Sequence, residues 1–331
     1  MKILVTGATG FVGSALLPEL LAAFPNAQIT AFVLPDDPFK DSLPKDTKLR
    51  MIEGNIIDKE KIQGALKGHS HVIHLAGLIS YWKRDYEQLM AVNKDGVRNI
   101  VEGCLMHNTT RFVHISSVGA YGFFKDGTLA DENTTFNWPS IFYYMLSKYE
   151  GQKIVEQAIK EEGMNAIILN PASIMGPGDR NLSTPHNQLY ERIYKKKVYG
   201  CFSGGLAVVD VRDLVKIILN VLGSDRYGEK YLVVGANVKY AQVVRSIARC
   251  AGKKAYPFPV PSFLLSFLGG FLELLSSLTH RSPLLTRAYG KLSGWKTYYS
   301  NEKSRRDFNH SYIPFEQTIQ DSCRYFEQNF L

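Results

Sequence analysis

Four pairs in this chain set a lysine four residues after a tyrosine: Tyr121/Lys125, Tyr144/Lys148, Tyr149/Lys153 and Tyr299/Lys303. On a helix such a pair shares one face. A free tyrosine titrates near ~10, too high for a base at neutral pH. A nearby ammonium favours the phenolate, and a drop of about three units needs roughly 4 kcal/mol of differential stabilisation, within reach of close charges at low dielectric. A pair so arranged can move a proton on and off a substrate oxygen. Spacing alone does not choose among the four, because the chain holds 18 tyrosines. Tyr144 and Tyr149 would stand about 140° apart around a helix, so they serve different faces. Two serines, Ser116 and Ser117, end an apolar run at "RFVHISS". They offer hydroxyls that could orient a reacting oxygen, or merely close a turn.

A second constellation is "TGATGFVG", with Gly7, Gly10 and Gly13 directly after the first apolar run. Glycines at a strand-to-helix turn let a pyrophosphate approach backbone N–H groups at the positive end of a helix dipole. The spacing is one residue longer than the GxGxxG fingerprint, and its place after an N-terminal strand points to dinucleotide binding. The residue that reads the adenosine ribose stands at the end of the second strand. Here that position is Leu34, followed by Asp36, Asp37 and Lys40. It offers neither an acid for a 2′-hydroxyl nor an arginine for a 2′-phosphate.

The elements that must position these groups follow from periodicity. "KILVT" (2–6), "QITAFVL" (28–34), "LRMIEG" (49–54), "HVIHLA" (71–76), "RFVHIS" (111–116) and "NAIILN" (165–170) read as buried parallel strands. Amphipathic stretches at 11–23, 59–67, 86–107 and 143–162 lie between or beside them. This alternation predicts an α/β fold: a Rossmann-like, doubly wound parallel sheet. Residues 171–187 read as loop, while 208–222 and 230–234 return to strand and helix within the same sheet. The chain therefore divides into a dinucleotide-binding domain over 1–170, with 206–235 returning to it. A smaller, mostly helical substrate lobe comprises 171–205 and 236–331.

Bulk properties narrow the class. The chain has 331 residues, 45% hydrophobic, enough for a large core. Cys104, Cys201, Cys250 and Cys323 show no metal-like or CxxC spacing, which implies reduced thiols in a cytoplasmic setting and no metal. The opening "MKILVTG" reads as a strand, with no room for a signal peptide. The net charge is +8, but the longest basic run, Lys195–Lys197, lacks the aromatic interleaving of a nucleic-acid surface. The apolar stretch 256–280 is too short to span a bilayer. It reads as a lobe helix whose Phe263, Leu264, Phe267 and Phe271 line an apolar substrate pocket, in preference to membrane-surface contact.

The chain resembles the extended short-chain dehydrogenase/reductase family over nearly its full length. The resemblance rests on "TGATGFVG", "EGNIID", "HLAG", "VNKDGVRN", "HISSVGAYG", "YMLSK", "NPASIMGPG" and "VVDVRDLV" in that order. It is closest to the dihydroflavonol reductase-like and 3β-hydroxysteroid dehydrogenase-like branches. It implies that Tyr144 is the catalytic tyrosine, Lys148 its partner and nicotinamide-ribose ligand, Ser117 the substrate-orienting hydroxyl, and Asn93 a supporting helix asparagine. It extends the cofactor set to Thr9, Phe11, Val12, Leu34, Asn55, Ile56, Ala76, Gly77, Pro171 and Ser173. Asn55 replaces the usual acid near adenine.

The implied activity is NAD(P)-dependent carbonyl reduction or alcohol oxidation on a largely apolar small molecule. The lean is to NADP(H), because Lys40 is near and the reductase branches commonly use it. Nucleotide-sugar epimerases and dehydratases are the alternative, and a non-catalytic cofactor-binding sensor the third. Val118 and Gly119 stand where dehydratases carry an acid pair, and Leu206 and Asn170 stand where sugar-nucleotide members carry arginines. Both departures favour the reductase reading, since a lost charge-assisted contact costs about 1.5–3 kcal/mol. Among protein partners, only a homodimer is left open.

Overall fold

A computed structural model describes residues 1–180, 182, 187–195, 200–279 and 282–331. Lys196 and Lys197 of the basic run, part of the 171–187 loop, and Arg281 lie outside them.

The strands are β1 (Lys2–Thr6), β2 (Gln28–Val33), β3 (Leu49–Glu53), β4 (His71–His74), β5 (Arg111–Ile115), β6 (Ala166–Pro171), β7 (Ser173–Met175), β8 (Gly200–Phe202), β9 (Gly205–Asp210), β10 (Lys230–Val233), β11 (Ala236–Lys239), β12 (Phe258–Val260) and β13 (Lys296–Thr297). The helices are α1 (Phe11–Ala23), α2 (Lys59–Leu66), α3 (Tyr86–Met90), α4 (Gly96–Met106), α5 (Tyr143–Glu162), α6 (Gln188–Lys195), α7 (Val211–Leu222), α8 (Tyr240–Cys250), α9 (Ser262–Thr279), α10 (Arg287–Leu292), α11 (Glu302–Phe308) and α12 (Phe315–Phe330).

Seven strands form one sheet in the order β10-β6-β5-β4-β1-β2-β3, and every pair is parallel. Successive side chains of a strand face opposite ways, so each strand feeds two cores. Ile3, Val5, Ile73 and Val113 meet Leu16, Leu17 and Leu20 of α1 and Leu214, Ile218 and Val221 of α7. Leu4, Val72, Phe112 and Ile168 meet Ile62 and Leu66 of α2, Ile100 of α4 and Val155 of α5 on the other side. Each fully buried side chain of this size contributes about 1.5–3 kcal/mol. A sheet covered on both faces explains why the sequence shows apolar runs instead of alternation.

Three details depart from the sequence reading. β3 is an edge strand, and Arg50 and Met51 are exposed. β9 lies outside the main sheet: it pairs with β11, β13 and β7 in a second, smaller sheet, while α7 and β10 do return. The stretch 86–107 is not one helix. α3 and α4 are separated by a π-helical turn, Ala91–Asp95. A π turn inserts an extra residue into the ladder and redirects a side chain, and here it turns Asn93 inward, 2% exposed.

Candidate active site

The site forms at the carboxyl ends of β1, β4, β5 and β6, where ligands of doubly wound sheets bind. Its first part is the glycine turn. Gly7 adopts φ +66°, and a Cβ there would sit 2.7 Å from the Ala76 nitrogen. A Cβ on Gly13 would sit 2.3 Å from the Gly7 carbonyl oxygen, so α1 can start this close to the turn only with glycine. Gly10 caps α1 with no side-chain acceptor, and its first turn holds no acid. The first N–H groups of α1 are thus free for an anion.

The second part is at Tyr144. α5 starts at Tyr143, which puts Tyr144 in its first turn and Lys148 one turn deeper. Ser117 closes β5, its Oγ accepts from the Gly119 N–H at 3.1 Å, and it hydrogen-bonds the Tyr144 phenol. Lys148 Nζ donates to the Ile115 carbonyl at 3.3 Å. Burial lowers the Lys148 pKa to about 8.

Burial also raises the Tyr144 pKa, against the opposing pull of the Ser117 hydrogen bond. This reverses the expected direction. A buried phenolate loses its water, and the Lys148 ammonium, itself weakened by burial, points at Ile115. Tyr144 is therefore held as a phenol.

Asn93 is not a surface residue. Its Oδ1 accepts from the Leu78 N–H at 2.9 Å, and its Nδ2 donates to the Leu78 carbonyl at 2.8 Å and to Ser147 Oγ at 2.9 Å. A Cβ on Gly151 of α5 would lie 2.0 Å from the Asn93 carbonyl, so the π turn and α5 touch backbone to backbone. Asn170, weighed in the sequence only as a missing arginine, holds the loop of Ser117. It donates to the Ser117 carbonyl at 2.8 Å and to Gln152 Oε1 at 2.6 Å.

The other Tyr-Lys pairs serve packing. Tyr149 stacks on Phe136 at 4.3 Å, with Lys153 Nζ 4.8 Å from its ring centre. Lys125 lies over Trp295, and Lys303 bonds Glu229.

One cleft of about 480 Å³ joins the two parts, running from Gly7, Gly10, Phe11, Val12 and Gly13 past Gly77, Pro171 and Ser173 to Ser117, Tyr144 and Lys148. Not all the expected cofactor residues line it. Thr9 donates to the Asp37 carboxylate. Leu34 is exposed beyond β2. Asn55 accepts from the Ile57 N–H at 3.2 Å, Ile56 packs beside Gly96, and the Ala76 N–H donates to Thr6 Oγ1 at 3.3 Å. Lys40, the basis of the lean to NADP(H), is held at 2.9 Å by both Glu53 and the Pro35 carbonyl.

At the Tyr144 end the wall is aromatic. The Tyr81 ring is 5.9 Å from that of Tyr144 and 4.9 Å from that of Tyr289. Tyr81, Tyr240 and Tyr289 also border a second cavity of about 660 Å³, bounded by α6, α8, β8 and the α9–α10 connection. These tyrosines come from distant parts of the chain, and no local pattern marks them. The expected pocket lining is overturned: Phe263, Leu264, Phe267 and Phe271 are 49–80% exposed, because α9 packs on α10 through its opposite, small-residue face.

Comparison with known proteins agrees with this geometry. Residues 3–235 match the model of the NAD dependent epimerase/dehydratase family. A putative dihydroflavonol 4-reductase of Synechocystis sp. (strain ATCC 27184 / PCC 6803 / Kazusa) is 27% identical over 98% of this chain and 94% of its own. A 3-beta-hydroxysteroid dehydrogenase of Mycolicibacterium neoaurum is 25% identical over 99% of this chain and 92% of its own. The crystal structure of the UDP-glucose 4-epimerase of Thermus thermophilus in complex with NAD superposes with a TM-score of 0.78 at 21% identity, covering 99% of each chain.

Proposed function

The chain belongs to the NAD-dependent epimerase/dehydratase family, of the extended short-chain dehydrogenase/reductase type, and from that premise we propose that it is an NAD(P)-dependent oxidoreductase. It acts on a carbonyl, or the matching alcohol, of a largely apolar small molecule. The dinucleotide fits the chain: Gly7 and Gly13 let the turn and α1 pack backbone to backbone, and the acid-free N-terminus of α1 receives its phosphates. The nicotinamide, when bound, supplies or accepts the hydride.

The protein's own groups handle the oxygen. Ser117 accepts from Gly119 and turns its hydroxyl proton toward the Tyr144 oxygen, so a substrate oxygen entering between the two can take over that hydrogen bond. Tyr144 gives its proton to that oxygen in reduction and takes it back in oxidation. Lys148 holds positive charge beneath Tyr144 and binds the ribose. Asn93 and Asn170 fix the turns that carry these groups.

The observation that carries the apolar-substrate reading is the lining of the cleft around Tyr144. Among the described residues it includes Tyr81, Met145, Tyr289 and Leu292, no carboxylate, and Lys148 as its one cation. Leu206 lines it where a diphosphate would want an arginine. Among the described residues that line this cleft, an epimerase or dehydratase would find no arginine for a diphosphate and no acid beside Ser117; Arg192 borders the second cavity.

Two of the ribose-reading candidates are engaged, Asp37 by Thr9 and Lys40 by Glu53. Discrimination between NADH and NADPH is therefore weak. A cofactor-coupled screen of ketones, aldehydes and hydroxysteroids beside UDP- and dTDP-sugars tests the reading. Turnover with apolar carbonyl compounds and none with sugar nucleotides is expected. Epimerisation of a UDP-sugar with no response to any apolar compound would overturn it.

A further inference from the structure

α9 is amphipathic in the wrong sense for a helix in water. At about 100° per residue, Phe263, Phe267, Phe271, Leu274 and Leu278 fall on one face, with Leu264, Leu268 and Leu275 on its shoulder. Together they span about 140° of the helix, and all eight are exposed, Phe267 by 80% and Leu278 by 77%. The inward face sets Ser266, Gly269 and Ser276 toward the fold, with Leu265 and Leu272 half-buried beside them. A Cβ on Gly269 would lie 2.4 Å from the Thr286 carbonyl, and Ser276 is buried. Ser266 Oγ donates to the Arg287 carbonyl at 3.3 Å. The close backbone approach of α9 and α10 is repeated at Gly290, whose Cβ would lie 2.4 Å from the Leu265 carbonyl. The seam is specific, so the outward apolar face is no accident of loose packing.

The patch continues past the helix. Leu284, in the α9–α10 connection, is 85% exposed, and the same connection forms one rim of the second cavity. No helix among the described residues is long and apolar enough to cross a membrane. α9 carries Glu273 on its inward side, so it is built to lie on a surface and not to pass through one.

Charge identifies the surface. Residues 240–301 hold eight Lys and Arg against a single acid, Glu273, so +7 of the chain's net +8 lies in this segment. Arg245, Arg249, Lys253, Lys254, Arg287 and Lys291 are exposed. An apolar stripe within a basic lobe complements a bilayer with anionic headgroups, where the side chains enter the acyl boundary and the bases meet the phosphates. A second copy of this chain fits poorly, because it would bring two +7 segments together.

We propose that α9 and the loop at Leu284 dock this protein on an anionic lipid bilayer, with the second cavity opening at the lipid surface. The docking stands independently of the oxidoreductase reading, since its test needs no turnover.

The test is flotation of the full-length protein with vesicles of phosphatidylcholine alone or with added phosphatidylglycerol. The anionic vesicles should bind at least tenfold more protein, and the difference should shrink with salt. The triple variant Phe267→Ser/Phe271→Ser/Leu278→Ser should lose at least tenfold in partitioning, with thermal unfolding and cofactor binding unchanged. Arg249→Glu/Lys254→Glu should weaken binding to anionic vesicles only. If the triple variant misfolds, Leu284→Cys carrying an environment-sensitive fluorophore replaces it, and a blue shift on anionic vesicles is expected. Failure to float with anionic vesicles would overturn the proposal, as would equal flotation of the triple variant or an unshifted fluorophore. A dimer in sedimentation that the triple variant dissociates, with no lipid binding, would assign the face to a second copy instead.

Discussion

Asn93 donates to Ser147 Oγ at 2.9 Å, and so ties the π turn after α3 to the helical turn lying between Tyr144 and Lys148. The same side chain holds both backbone polar groups of Leu78, next to Gly77. A Cβ on Gly77 would sit 3.1 Å from Lys148 Nζ. One amide thus sets the spacing between the β4 loop and the α5 face that carries the reacting groups.

Asn93→Ala should lower kcat at least tenfold with a smaller change in KM, because it loosens the positioning of Tyr144 without touching substrate. It should also cost about 1–3 kcal/mol of stability, since the Leu78 N–H and carbonyl lose their partner. Steady-state kinetics with denaturant unfolding checks both. Asn93→Asp, which keeps the acceptor for the Leu78 N–H, should recover part of the stability and little of kcat.

Lys148 is a charged group the fold holds at a cost. Burial lowers its pKa to about 8 from an ordinary value of 10.5. Between those values the unfolded chain binds a proton that the folded chain has released, so stability rises with pH over this window. Below about 8 both states are protonated and the full penalty remains. Lys148→Met should therefore raise unfolding free energy at pH 7, by up to about 3 kcal/mol, while abolishing turnover. It should also flatten the rise in stability between pH 8 and 10. Thermal unfolding at stepped pH checks this, and a destabilised Lys148→Met protein would show that the Ile115 contact outweighs desolvation.

Glu53 keeps Lys40 occupied at 2.9 Å. Glu53→Ala removes one of the two holds on that ammonium, the Pro35 carbonyl being the other, and should shift the NADPH/NADH ratio of kcat/KM several-fold toward NADPH. The exposed ion pair itself contributes little, so stability should barely change. Parallel titrations of the two cofactors measure the ratio. No shift would place the ribose reader elsewhere.

The sheet was legible because buried parallel strands write themselves as apolar runs with helices between them. The glycine turn was legible because Gly7 and Gly13 answer to backbone contacts no other residue permits. Contacts made across the fold were not. Nothing near Asn170 in the sequence announces its bond to the Ser117 carbonyl, and nothing near Tyr289 its place beside Tyr81. β9 looked like a main-sheet strand because an apolar run is the same in either sheet. α9 shows most sharply why pattern alone fails. Its apolar stripe was plain in the sequence, but periodicity does not say whether a stripe faces inward, and the glycine and serine seam against α10 turned it out.

Tyr144, and none of the tyrosines of the other three pairs, is proposed to exchange the proton with the substrate oxygen. The direct measurement is single-turnover carbonyl reduction by Tyr144→Phe beside Tyr149→Phe, with cofactor affinity measured for each. Tyr144→Phe should lose at least about a hundredfold in rate with cofactor binding little changed, and Tyr149→Phe should stay near normal. Near-normal turnover by Tyr144→Phe would take the proton exchange away from Tyr144, and loss in Tyr149→Phe instead would move the chemistry to the other face of α5.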